Sequence, residues 1–118
     1  MPKPEQGRII LVETCDPQGQ NLKIRPAIII SRTEEIRSDG QIACVAITSS
    51  IPKKIPADCV LLPYSAGGKS RTGLKMRSAA MCSWLFATTE EKIEKYIGIV
   101  PSQLLQEILA GVERLKNS

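Results

Sequence analysis

The chain has 118 residues, of which 42% are hydrophobic and 24% charged, and its net charge at pH 7 is +4. That length suits one domain around one core, and the apolar share is too high for a chain that stays disordered. No apolar run approaches the ~20 residues that cross a bilayer, and residues 1 to 13 carry prolines and charges where a secretory signal needs an apolar centre, so no membrane association and a cytoplasmic location are expected.

Taken in order, Gly7 to Thr14 is rich in β-branched residues and runs into Asp16-Pro17-Gln18-Gly19, which predicts a strand followed by a loop. Pro26 to Ser31 is an apolar run whose leading proline suits the start of a second strand. A polar stretch turns at Asp39-Gly40 and leads into a third strand, Gln41 to Thr48, which pairs with the second as a hairpin. Asp58 to Leu62 reads as a short fourth strand, and Gly73 to Ser83 as a fifth. Thr88 with Glu91 three residues later has the form of a capping box, so a short helix is expected there, closed by Gly98. Pro101 opens a final helix whose Leu104, Leu105, Ile108, Leu109, Val112 and Leu115 fall on one face. The fold class is therefore mainly β with a C-terminal helix, a single α+β domain over residues 1 to 118.

The chain has four cysteines and no histidine. Cys15, Cys44, Cys59 and Cys82 form no C-x-x-C pair, which argues against zinc, and three of them lie in strand-like runs where a reduced thiol serves as a small buried hydrophobe. Gly67-Gly68-Lys69-Ser70 has the look of the end of a phosphate-binding loop, but Pro63 stands where the first glycine belongs and no parallel βαβ unit surrounds it. A flexible basic loop, with Tyr64 available to stack on a base, is the better reading, and an ordinary surface loop fits equally well.

Charge is unevenly spread. Residues 50 to 85 hold Lys53, Lys54, Lys69, Arg71, Lys75 and Arg77 against Asp58 alone. Such a stretch faces phosphates or an acidic partner, or else is merely a solvated surface. Arg25 and Thr48 sharpen the choice. Antiparallel pairing of the second and third strands brings the start of one beside the end of the other, with Cβ atoms roughly 5 Å apart, so that a cation and a hydroxyl can meet one phosphate. From spacing alone, a structural arginine–threonine pair at a strand end is the commoner arrangement.

Several motifs in order make the chain resemble the MazF/PemK toxins: Gly7 with its apolar strand, Asp16-Pro17 and Gly19, Arg25-Pro26-Ala27-Ile28-Ile29-Ile30-Ser31, Ile47-Thr48-Ser49, Gly73-Leu74 and Ser78, and Ile97-Gly98 before the closing helix. The resemblance implies an SH3-like small barrel, a homodimer, and a sequence-selective endoribonuclease that cuts single-stranded RNA and is held inactive by a cognate antitoxin. It matches Arg25 and Thr48 to the family's catalytic pair, and sets Gln18, Gly19, Gln20, Asn21, Ser49, Lys53 and Lys54 where substrate contacts fall. RNA carries its own nucleophile in the 2′-hydroxyl, so no metal and no cofactor are called for; guanidinium offsets charge on the phosphoryl oxygens and the threonine hydroxyl donates beside it. The chain departs from the family at Arg8, where an acidic residue is common, at Trp84 and Phe86, which replace a glutamine and an arginine, and at Met81 and Ser83 around Cys82. Two other readings stay open: a protein-binding toxin similar to the gyrase poison CcdB, which the Arg25–Thr48 pair argues against, and a catalytically silent RNA-binding barrel.

Overall fold

The computed structural model describes residues 2–117. Six strands, β1 (Arg8–Thr14), β2 (Lys23–Ile29), β3 (Gln41–Thr48), β4 (Cys59–Leu62), β5 (Ser78–Thr89) and β6 (Ile93–Ile99), precede one helix, α1 (Ser102–Lys116). They form one sheet in the order β4-β5-β3-β2-β1-β6, with every neighbouring pair antiparallel. The strong curvature of the small barrel comes from shifts in register. On β3, Val45 pairs with Leu85 and Ile47 with Ala80, so β5 carries extra residues there and bends.

Period-two alternation on the central strands feeds two cores. Ile9, Ile28, Val45 and Ile47 point into one cluster, with Leu62, Leu74, Cys82 and the helix residues Ile108 and Val112. Ile10, Val12, Ala27, Ile29, Ile42 and Cys44 point into the other, closed by Ile36, Phe86, Ile93 and Tyr96. Because both faces of β1 to β3 are covered, their sequences read as nearly unbroken apolar runs. Each fully buried isoleucine contributes about 1.5–3 kcal/mol of burial free energy. Cys44 behaves as one of these hydrophobes: burial pushes its thiol up to about 12.

The apolar stripe of α1 packs on β4 and β5. Gly111 makes the approach possible, since a Cβ there would sit 2.7 Å from the Cys82 sulfur. Arg114 and Lys116 occupy the last turn, where cations favour the helix dipole.

Three expected elements differ. The second strand runs Lys23–Ile29, so Pro26 stands at its middle, opposite Leu11 of β1, and not at its start. The short helix over Thr88 to Gly98 is absent: β5 continues to Thr89, Glu90–Lys92 makes a single 3₁₀ turn, and Ile93–Ile99 is strand β6. The Thr88 hydroxyl, read as a cap, is buried with no hydrogen-bond partner among the described residues. Gly98 stops no helix; it lets the Thr72 carbonyl approach β6 where any Cβ would collide. The fifth strand begins at Ser78 rather than Gly73, because residues 63–77 fold on themselves. Thr72, wholly buried, donates its hydroxyl to the Pro63 carbonyl at 2.6 Å, and the Ile99 amide donates to the Arg71 carbonyl at 2.8 Å. The basic loop is thus a pinned wall, with Leu74 in the core beneath it. Among the described residues no helix is long and apolar enough to cross a membrane.

Candidate functional site

The β1–β2 connection is organised by one carboxylate. Asp16 Oδ1 accepts from the backbone amides of Gln18 at 3.0 Å and Gln20 at 2.8 Å, and Oδ2 accepts from Asn21 Nδ2 at 2.7 Å. The Gln20 amide, then the Asn21 side chain, the Gln18 amide and the positive charge of Arg25 hold the Asp16 carboxyl below its ordinary value. Gly19 and Asn21 both take positive φ, 79° and 56°, which glycine permits freely and asparagine tolerates. The loop then turns the Asn21 carbonyl onto Arg25, whose Nη2 donates to it at 2.7 Å, while Nε donates to the carbonyl of Thr14 at the end of β1 at 3.3 Å.

The β2–β3 ladder pairs Ala27 with Ala46, Ile28 with Val45 and Ile29 with Cys44. Continued two residues, that register sets Arg25 across from Thr48, and both side chains line one open cleft of about 300 Å³. Thr48 Oγ1 accepts from the Ser50 amide at 3.1 Å, which orients the hydroxyl and leaves its proton for a ligand. Trp84, from the bent part of β5, closes one side of the cleft, with its ring centroid 5.2 Å from Arg25 Cζ. Lys23 and Lys75 add positive charge to the walls, so three cations converge there without a carboxylate among the lining residues. Apolar side chains stand at the rim: Ile24 is 52% exposed and Met76 58%.

Of the residues singled out from sequence, Arg25, Thr48 and Ser49 meet in this cleft. Asn21 lies outside its lining but holds Arg25 through its carbonyl, and Gln18, Gly19 and Gln20 build the loop around Asp16. Lys53 and Lys54 are exposed on the β3–β4 connection and do not line the cleft. Sequence reasoning passed over Lys23, Lys75 and Asp16 as site residues and noted Trp84 only as a departure from a pattern. Asp16 and Asn21 carried a usable signal in their loop spacing, since Asp accepting from amides two and four residues on is a standard Asx turn. Trp84 carried none, because its reach to Arg25 depends on the register shift in β5.

Comparison with known proteins matches residues 5–115 to the model of the PemK-like, MazF-like toxin of type II toxin–antitoxin systems. No curated protein sequence matches the chain. Among solved structures, MazF of Deinococcus radiodurans is similar at 17% identity, with 100% of each chain covered and a TM-score of 0.73. A MazE–MazF complex from the same organism covers 97% of this chain and 96% of its own at 16% identity, with a TM-score of 0.73. An endoribonuclease in complex with its cognate antitoxin, from a mycobacterial species, covers 95% of this chain and 93% of its own at 14% identity, with a TM-score of 0.68. At these identities the structures speak for the fold.

Proposed function

Because the chain belongs to the PemK-like, MazF-like family of type II toxins, we propose that it is a metal-independent, sequence-selective endoribonuclease that cuts single-stranded RNA in the cytoplasm. The observation that carries this reading is the meeting of Arg25 and Thr48 in one cationic, solvent-open cleft.

In this mechanism the ribose 2′-oxygen attacks the adjacent phosphorus, its proton departs, the bond to the 5′-oxygen breaks, and that oxygen takes up a proton. The products are a 2′,3′-cyclic phosphate and a 5′-hydroxyl, with no change of oxidation state. Negative charge grows on the nonbridging oxygens as the phosphorus becomes five-coordinate, and donors already in place there lower the barrier. Arg25 supplies a permanent charge in a planar fork, which suits charge stabilisation and not proton abstraction. Thr48 donates its oriented hydroxyl to a second nonbridging oxygen. Lys23 and Lys75 hold the flanking phosphates, Ser49 and the Gln18 to Asn21 loop border the bases, and Lys53 and Lys54 extend the basic surface beyond the cleft.

The proposed inhibitor is a cognate antitoxin whose flexible segment presents carboxylates to Arg25 and the lysines and buries apolar side chains on Ile24 and Met76. The proposed assembly is a homodimer. A gel of total RNA incubated with protein in EDTA tests the reading: wild type cuts and Arg25→Ala loses about 10²–10³-fold in rate. Intact RNA over a wide sequence range would overturn it. Growth arrest that survives Arg25→Ala while RNA stays whole would point instead to a protein-binding toxin.

A further inference from the structure

We propose that Trp84 is a positioning residue for Arg25: its indole face, with the Asn21 and Thr14 carbonyls, clamps the guanidinium in the orientation that meets phosphate. This rests on the ribonuclease reading of the cleft for its consequence, but not for its geometry.

Arg25 forms no ion pair with a carboxylate among the described residues. Its partners are two neutral carbonyl oxygens and a ring 5.2 Å from Cζ. Each choice has the same effect. A carboxylate would hold the side chain equally well but would compete with phosphate for the fork and cancel the charge the reaction needs. Carbonyls and a π face restrain it and leave the charge whole. The carbonyls take Nε and one hydrogen of Nη2. The Trp84 ring adds a third restraint from the cleft wall, separate from these two bonds.

Trp84 reaches this place through the backbone. Between the pairs Val45–Leu85 and Ile47–Ala80, residues 81 to 84 of β5 have no partner on β3. Trp84 is thereby released from the ladder and half-buried in the cleft wall rather than in either core. Phe86, two residues on, is back in register against Cys44 and packs into the second core.

A clamp predicts a particular kinetic split. If the ring orients Arg25 for charge that develops in the transition state, Trp84→Leu lowers kcat by about 3- to 30-fold, the range of one cation–π contact, and leaves KM near its starting value. If the ring instead stacks on a base, KM rises and kcat holds. Trp84→Phe keeps an aromatic face and recovers most of the loss.

The test pairs two readouts on wild type, Trp84→Leu and Trp84→Phe, each first shown to melt cooperatively. One is the NMR order parameter of the Arg25 Nε–H bond in protein without RNA; the other is kcat and KM on an oligoribonucleotide the wild type cuts. The expected result is a mobile Arg25 and a reduced kcat in Trp84→Leu, both restored in Trp84→Phe. An Arg25 as rigid in Trp84→Leu as in wild type, or a loss confined to KM, would overturn the clamp. The first readout uses no RNA, so a failed ribonuclease reading leaves it to decide the clamp by itself. Conversely, Arg25-dependent cutting that is indifferent to Trp84 removes the clamp and leaves the ribonuclease standing.

Discussion

Arg25 owes its place to a carboxylate it does not touch through any hydrogen bond in the structure. Asp16 ties down the Gln18 to Asn21 loop, Asn21 adopts a left-handed backbone, and only then does its carbonyl face the guanidinium. The chain of cause has a pH dependence with a definite sign. The Asp16 carboxyl lies below its ordinary 3.8 in the folded protein, so its contribution is complete above that value and fades as pH falls through the lowered one. Loop order and Arg25 placement are therefore expected to stay constant from pH 8 to about 5 and to give way only in stronger acid. Asp16→Asn should lose that acid limb and loosen the loop wherever wild-type Asp16 is ionised. NMR shifts of the Gln20 and Asn21 amides followed against pH in both proteins check this. Lysine at position 25 keeps a charge but not the planar fork or the contact to the ring, so Arg25→Lys is expected to remain well below wild type in cleavage rate.

At the scale of elements, one glycine sets the distance between α1 and the sheet. A methyl at Gly111 would press on the Cys82 sulfur, and Gly111→Ala is expected to cost about 1–3 kcal/mol despite alanine's better helix propensity. Cys82→Ala removes the obstacle, so urea melts of the double variant should show less than the sum of the two single losses, and strict additivity would contradict the packing. Elements were legible where a single rule governed them. Strands β1 to β4 and the closing helix follow from alternation, turn chemistry and a helical stripe, and the Arg25–Thr48 register follows from the hairpin. Strand β6 takes a helical look from its flanks, since Thr88 and Glu91 stand at capping-box spacing and Gly98 occupies the place of a C-cap, yet Ile93–Ile99 pairs with β1 across two register shifts. Glycine misled for a related reason: at Gly98 it marks a close approach by a segment more than twenty residues earlier, which no local pattern encodes. The same limit hid Trp84, whose neighbour in space is set by unpaired residues in β5.

Across the whole molecule, two cores on opposite faces of one curved sheet leave the ends of β2 and β3 open at the surface, and the cleft forms there. The basic excess in the middle of the chain divides between the cleft wall, through Lys75, and the surface beyond it, through Lys53 and Lys54. With Lys23, Arg25 and Lys75 each meeting one phosphate of a single strand, log affinity for a non-cleavable RNA should fall against log salt with a slope of about −2. Lys75→Ala is expected to flatten that slope by roughly 0.7, and an unchanged slope would move Lys75 out of the binding surface. The most direct test of the central claim uses one oligonucleotide in two forms, all-ribose and with a single deoxyribose at the cleaved position, incubated with wild type in EDTA. Cutting of the first alone, with a 2′,3′-cyclic phosphate and a 5′-hydroxyl at the new ends, is the expected result. Equal cutting of the deoxyribose form would contradict it, because the nucleophile would then have come from somewhere other than the RNA.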